Sequence, residues 1–123
     1  MTSKQDILAL ADRVEKAEAS EQAEMIADAW DVLGPIRKWE SAEAARFADM
    51  LDAEAYESAA MMLVPEGLHW TAQTDKDGAH VSVGKADSDA RGIFYTGCRQ
   101  ATAKSLGLAL TAAALHAIAE AGG

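Results

Sequence analysis

Two aspartates and a glycine, in the order Asp75, Asp77 and Gly78, have the spacing with which an EF-hand calcium loop begins. Such a loop also needs a third acidic position before the glycine and a glutamate six residues after it. The residue six positions after Gly78 is Gly84, which has no side-chain ligand to offer. The sequence therefore predicts that residues 74–78 form the turn of a β-hairpin, in which Gly78 takes the positive φ that such turns require.

Two histidines, His69 and His80, lie on segments that we predict to be neighbouring strands, where both imidazoles can face the same side. Two imidazoles can begin a metal site, but no third ligand follows at a recognisable spacing. We therefore expect ordinary exposed strand histidines, and we predict no metal and no other cofactor.

The one cysteine, Cys98, stands beside Arg99, whose positive charge would favour the thiolate form of a nucleophile. A catalytic cysteine also needs a general base, and the sequence assigns no residue to that role. A single cysteine excludes a disulfide within the chain and is typical of a reducing compartment, so we expect a small buried Cys98 in a cytoplasmic protein. The sequence predicts no catalytic residue and no enzymatic activity.

Cationic and aromatic side chains gather around the third predicted strand, against an acidic background. Arginine forks and aromatic faces are what a pocket for a phosphorylated nucleotide requires. The alternative interpretation is a set of scattered charges that keep the protein in solution. The candidate ligand-binding residues are Trp70, His80, Lys85, Arg91, Tyr95 and Arg99, with Lys104 near them.

The negative charge is concentrated in the first half of the chain. Residues 1–57 carry 14 acidic and 6 basic side chains, a balance of −8, whereas residues 58–123 are nearly neutral. A field of this sign repels nucleic acid and steers the protein toward basic partners, so we expect no direct binding to nucleic acid. The alternative is an acidic surface that serves only solubility.

The sequence predicts an α+β fold in a single domain, 1–123, with an acidic helical half (1–64) and a second half (65–121). Apolar residues at three- and four-residue steps predict four N-terminal helices. We expect the first helix to begin near Asp6, the second to be capped by Ser20 and to end at Gly34-Pro35, the third to be capped by Ser41, and the fourth to be capped by Asp52.

Period-two alternation after residue 67 predicts a small antiparallel sheet of three strands, at 68–73, 79–83 and 93–96, with a loop at 84–92. We expect Trp70 to be largely buried against a helix. A final packing helix begins after Ser105 as N-cap, and its apolar run is interrupted and too short for a membrane span. Because this helix is apolar around much of its circumference, we also expect a homodimer or a higher oligomer.

Three segments resemble a known family. The run from Glu57 to Gly67, followed by a hairpin that bears Trp70, is similar to the phage ABA sandwich domain, as is the run from Leu108 to Leu115. The opening Ile7 to Glu15 often accompanies that domain. The resemblance covers about residues 1–20 and 54–121, although family members usually carry Thr-Pro where Ser105-Leu106 stand. It implies a layered α/β/α sandwich and a phage or prophage origin, with no assigned activity.

The resemblance and the charge lead to three functional hypotheses. The first is an accessory protein that inhibits a host defence protein by binding it through an acidic face. Its candidate contact residues are Asp28, Trp30, Asp31, Trp39, Glu40 and Glu43, with the two tryptophans as anchors if they are exposed. The alternative is that both tryptophans anchor the core, with Trp30 on the buried side of the second helix. The second is a protein that sequesters a nucleotide signal in the basic cluster, and the third is a component of the virion or of its assembly.

Overall fold

The computed structural model describes residues 3–122, except for the side chains at 87, 88, 93–97, 121 and 122. A short 3-10 turn, Ala19–Glu21, separates the first two helices. The elements in chain order are α1 (Lys4–Lys16), α2 (Gln22–Arg37), α3 (Ser41–Asp52), α4 (Tyr56–Met61), β1 (Leu68–Asp75), β2 (Gly78–Asp89), β3 (Gly92–Ala103) and α5 (Leu106–Gly122). The predicted α+β class, with three antiparallel strands and a C-terminal packing helix, is confirmed.

The layers follow the order sheet, α5 and N-terminal helices. The strands are paired in the order β1-β2-β3. Helix α5 packs chiefly on β2 and β3, while α1, α2 and α4 contact α5 from its other sides. Over the residues described, the helices therefore lie on one face of the sheet, rather than on both faces as in the sandwich that the resemblance implies.

Helix α5 is the centre of the core. Its residues from Leu108 to Leu115 are all buried, and the hydroxyl of Thr111 is satisfied by the carbonyl of Gly107 at 2.7 Å. The predicted N-cap is confirmed, because Ser105 Oγ accepts a hydrogen bond from the amide of Leu108 at 3.2 Å. Elements of the same chain cover α5 from several sides. The apolar circumference of α5 is therefore no argument for the predicted self-association.

The ends of the N-terminal helices differ from the predictions. Ser20 lies in the 3-10 turn, and α2 does not end at Gly34-Pro35 but continues to Arg37, with Pro35 inside it. A proline near a helix end removes one hydrogen bond only. Helix α2 then ends where Lys38 turns left-handed with φ 52° and its amide donates to the carbonyl of Gly34.

The predicted caps of α3 and α4 are also wrong. Glu40, not Ser41, is the N-cap of α3, and its amide donates to the carboxylate of Glu43 at 3.0 Å. Asp52 is the last residue of α3, and α4 begins only at Tyr56. At the start of α1, Ser3 is the N-cap, and Asp6 closes its capping box three residues later.

The first predicted hairpin is confirmed, with Asp75 paired to Gly78 across a two-residue turn. The predicted loop at 84–92 is wrong, because β2 and β3 form a second hairpin that runs to Asp89 and resumes at Gly92. A register shift between Val83 and Lys85 lets the ladder continue past the glycine at 84. The Asp89 carboxylate accepts a hydrogen bond from the amide of Arg91 at 2.7 Å and shapes the turn.

Candidate functional site

The two faces of the sheet separate the residues of the predicted nucleotide pocket. Trp70 is paired with Val83, which is buried against α5, so Trp70 lies on the helix-covered face. His80 lies on the opposite face, in line with Gln73 and Thr102 on the neighbouring strands. Trp70 and His80 therefore cannot line one pocket.

The cations of the predicted cluster are engaged in separate contacts. Arg91, at the tip of the second hairpin, donates two hydrogen bonds to the carboxylate of Asp89, at 2.8 and 3.1 Å. This contact with the Arg91 side chain is the largest of the causes that lower the pKa of the Asp89 carboxyl. Arg99 lies 3.6 Å from Glu120 of α5, and Lys104 forms an ion pair with Glu18.

The other members of the cluster add nothing to a common pocket. Lys85 is exposed near the bulge in β2, and the side chain of Tyr95 falls outside the described part of the chain. The structure thus brings no two of the predicted ligand-binding cations together. A pocket for a phosphorylated ligand is not assembled by the residues that the structure describes.

The exposed face of the sheet carries a shallow depression of about 380 Å³. Its polar lining comes from uncharged side chains and one imidazole, namely Thr71, Gln73, His80, Ser82, Gln100 and Thr102. Lys85, Arg91 and Arg99 do not line it. Since a nucleotide phosphate is held most strongly by arginine or lysine side chains and none lines this depression, the depression does not suit such a ligand.

A chain of hydrogen bonds crosses that depression. His80 Nε2 lies 3.0 Å from Asp75 Oδ2, and His80 Nδ1 lies 3.0 Å from Thr102 Oγ1. Carboxylate, imidazole and hydroxyl are thus connected as in a hydrolytic triad. The chain lies open to water, however, and the backbone amides of the central strand β2 are used in the ladders to both neighbours, where they cannot form an oxyanion hole. We conclude that these contacts stabilise the first hairpin.

The free cysteine and the histidines give no metal or redox site. Cys98 is exposed, so the predicted burial is wrong. His116 lies 2.6 Å from Glu15 and ties α5 to α1. No three His, Cys, Asp or Glu side chains, among those whose positions are described, are grouped to hold a metal ion. No helix in residues 3–122 is both long enough and apolar enough to cross a bilayer.

The predicted aromatic anchors of the acidic face are part of the fold. Trp30 is only 8% exposed and stacks on both Trp39 and Phe47, with ring centroids 3.8 and 4.0 Å away. Because two rings cannot occupy one face, Trp30 lies between them. The prediction that helix two buries Trp30 is confirmed, so Trp30 does not meet the condition of exposure for a binding anchor, and Trp39 is half-buried on top of it.

The guanidinium of Arg37 packs over the Trp39 ring of this aromatic stack. It lies 4.5 Å from the centroid of that ring, and Arg37 Nη1 donates to the carbonyl of Leu63 at 2.9 Å. Burial lowers the pKa of Arg37, and the negative charge of Glu43 acts in the opposite direction. Arg37, Trp39 and Glu43 thus fasten α2, the α2–α3 connection and α3 to one another.

Three of the six acidic side chains of α1 and α2 contact a basic side chain of the same chain, the third being Glu15 with His116. Asp12 pairs with Lys16 at 3.0 Å, and the predicted contact residue Asp28 lies 4.0 Å from Arg13. Asp31 is exposed on α2, whereas Glu40 and Glu43 are joined in the capping box of α3. The predicted acidic contact residues therefore do not form one uniform face.

A different acidic surface, which sequence reasoning missed, lies on α3 and α4. Residues 40–57 carry six acidic side chains and one basic side chain, Arg46. Four of the acids are exposed and form no ion pair with any residue that the structure describes. We call these four the α3–α4 acidic surface, which consists of Asp49, Asp52, Glu54 and Glu57. The sequence signal for it is a run of six acids that contains a single cation.

Comparison with protein families, with curated proteins and with solved structures finds no match to this chain.

Proposed function

We propose that this protein acts by binding another protein, and that the α3–α4 acidic surface makes the contact. The observation that carries the proposal is the difference between the two groups of acids. Three of the six acids of α1 and α2, namely Asp12, Glu15 and Asp28, contact a Lys, His or Arg of the same chain, whereas those of the α3–α4 acidic surface have no cation partner among the described residues. Unpaired charge of one sign attracts a partner of the opposite sign and raises the rate of encounter.

An exposed apolar side chain accompanies these charges. Met61 of α4 is 47% exposed and follows Glu57 by four residues, so both lie on one side of the helix. Methionine is flexible and suits contact with varied surfaces. A basic partner surface with an apolar neighbourhood fits this arrangement, and a nucleic-acid-binding groove has that chemistry because it must attract phosphates.

The more specific proposal is that the partner is a host defence protein and that the chain is a phage or prophage inhibitor. The family resemblance implies only the phage or prophage origin, and the acidic surface suggests the binding role. An acidic protein surface can occupy a groove that otherwise holds nucleic acid. The scattered cations of the sheet give no comparable support to nucleotide sequestration. Incorporation into virus particles remains the third hypothesis, and detection of the polypeptide in purified particles would favour it.

Charge reversal tests the binding surface. In the variant Asp49→Lys/Asp52→Lys both changes lie in the last turn of α3, where a cation also suits the helix dipole, so folding should be preserved. The control Glu24→Lys/Asp31→Lys changes the net charge equally through two exposed acids of α2. A partner captured with the unaltered protein would be purified, and its affinity for each variant would be measured by calorimetry.

We expect the α3 variant to bind at least about tenfold more weakly than the α2 variant, and duplex DNA to compete for the partner. Affinity of the unaltered protein should fall when the salt concentration rises from about 50 to about 500 mM. Equal losses in the two variants would mean that net charge alone matters, and an affinity that is indifferent to salt would exclude the acidic mechanism.

A further inference from the structure

The outer edge of β1 is an unprotected sheet edge. β1 pairs with β2 on one side, and no other strand in the described part of the chain pairs with its second side. Soluble proteins usually protect such an edge with a charge, a proline or a bulge. None of these occurs between Leu68 and Thr74, and the pairing of β1 with β2 is continuous over eight residues.

The hairpin turn determines which backbone groups point outward. Asp75 and Gly78 close a two-residue turn, and the pair that flanks such a turn is hydrogen-bonded in both directions. Hydrogen-bonded and non-hydrogen-bonded pairs then alternate along the ladder. The amides and carbonyls that point away from β2 therefore belong to Leu68, Trp70, Ala72 and Thr74, and of these the amide of Leu68 already donates to the carbonyl of Pro65 at 3.1 Å.

The same four residues direct their side chains toward the helix-covered face, because their partners in β2 include the buried Val83, Val81 and Ala79. Helix α5 does not cover this edge well, since it packs chiefly on β2 and β3. Trp70 is consequently only half-buried, although we predict from the sequence that it is largely buried, and Ala72 is exposed. Further cover for Trp70 has to come from beyond the edge.

We propose that two copies of this chain associate by antiparallel pairing of their β1 strands, with Thr71 of each copy on the two-fold axis. This register places Trp70 opposite Ala72 of the second copy, so a large side chain meets a small one on the helix-covered face. It also places Leu68 opposite Thr74, but the amide of Leu68 already donates to the carbonyl of Pro65 at 3.1 Å, so about six backbone hydrogen bonds form between the copies. The two sheets join into one of six strands.

The neighbouring register, with Ala72 on the axis, is poorer. It pairs Ala72 with its own copy, leaves Leu68 without an opposite residue inside the strand, and also forms about six hydrogen bonds, so the two registers differ in their side-chain packing. Trp70 then meets Thr74 instead of the smaller alanine. The half of the chain that carries the strands, residues 58–123, has a net charge of only −1. Pairing of the β1 strands therefore does not bring the most acidic part of the sequence to the two-fold axis.

Cysteine cross-linking tests both the edge and the register. Thr71→Cys is made in a Cys98→Ser background, which removes the exposed native thiol. Non-hydrogen-bonded antiparallel partners have Cα atoms about 4.5 Å apart, within the range that a disulfide spans. Ala72→Cys and Gln73→Cys in the same background are the comparisons, since all three positions are exposed on β1.

We expect a covalent dimer from Thr71→Cys under mild oxidation and far less from the other two variants. Cross-linking through Ala72→Cys instead would overturn the register, and equal cross-linking of all three would indicate random collision. Ala72→Lys, which adds an edge charge without touching the core, should convert a dimer into a folded monomer by light scattering. A monomeric unaltered protein at high micromolar concentration would reject the proposal, whatever the outcome of the charge-reversal experiment on α3.

Discussion

The indole of Trp39 lies parallel to that of Trp30, with an interplanar angle of 8°, and its Nε1 donates a 3.0 Å hydrogen bond to the carbonyl of Trp30. Trp39 follows the left-handed residue Lys38, so this contact fixes the chain where it leaves α2. Phe47, the one residue of α3 that is buried, stacks on the same Trp30. Trp30 and Trp39, which sequence reasoning assigns either to the core or, if exposed, to a binding surface, thus attach α3 to the core.

Substitution of Trp39 should measure this attachment. We expect Trp39→Ala to lower the free energy of unfolding by about 2–4 kcal/mol, because it removes a half-buried aromatic ring and a hydrogen bond. Trp39→Phe keeps a ring for stacking and should lose only about 1 kcal/mol. Urea unfolding would give both values. Ile36→Ala, at a side chain of α2 that is 45% exposed, should change little, and a loss as large as that of Trp39→Ala would point to a general weakness of α2.

Two glycines with similar backbone angles provide a matched pair for the hairpins. Gly78 has φ 135° and Gly92 has φ 129°. A Cβ at position 78 would lie 2.4 Å from the carbonyl oxygen of Ala103, whereas a Cβ at position 92 would have no heavy atom within 4 Å apart from those of its chain neighbours. Both alanine variants carry backbone strain of about 1–3 kcal/mol. Gly78→Ala should therefore cost at least about 2 kcal/mol more than Gly92→Ala in chemical unfolding. Equal costs would mean that β3 moves aside easily.

The parts of the fold that sequence reasoning predicts correctly are those set by local signals. Alternation from Leu68 and the turn at Gly78 identify the first hairpin, and Ser105 identifies the start of α5. The second hairpin escapes prediction because its small and polar residues, such as Ala86 and Asp89, have low strand propensity and are held by the ladder.

The candidate site was harder to predict, for a related reason. Charge along the chain shows that residues 1–57 are acidic, but it does not show which acids find a cation. The pairing of Glu18 with Lys104 joins positions far apart in the sequence, and that of Glu15 with His116 does the same. The packing of α1 beside α5 brings Glu15 to His116, and Glu18 meets Lys104 just outside these helices. Only the folded structure therefore shows which acids have a cation partner.

Stability in acid should depend on the cap of α1. The amide of Ser3 donates to the Asp6 carboxylate at 3.1 Å, and this backbone hydrogen bond, followed by that from the Ser3 hydroxyl, lowers the pKa of Asp6. A carboxylate whose folded pKa is depressed contributes stability above its unfolded pKa of about 3.9, and that contribution is lost as the pH falls through the folded value.

Asp6→Asn should therefore be less stable than the unaltered protein at neutral pH, and the two should converge as the pH falls below about 4. Unfolding in urea at several pH values would measure the difference. Ser3→Ala is the control, because it removes the hydroxyl but retains the backbone donor, and it should preserve part of the pH dependence. A difference that stays constant down to the lowest pH would show that the charge of Asp6 has no part in the cap.

The α3–α4 acidic surface should weaken the helices that carry it, and one substitution tests this directly. Asp52 is the last residue of α3, where the helix dipole places partial negative charge and where the last turn has no basic residue. Asp52→Lys should raise the free energy of unfolding by about 0.3–1 kcal/mol, because it removes repulsion from both the dipole and the neighbouring acids. Asp12→Asn should act in the opposite direction by a few tenths of a kcal/mol, since it breaks the pair with Lys16.

Salt screens exposed charges beyond about 10 Å at 0.1 M, so the unaltered protein should melt at a higher temperature in moderate salt, and Asp52→Lys should gain less from added salt. Melting followed by circular dichroism would show both effects. If melting of the unaltered protein is flat or falls with added salt, its acids are already balanced, and the surface that we propose for partner binding would lose its excess charge.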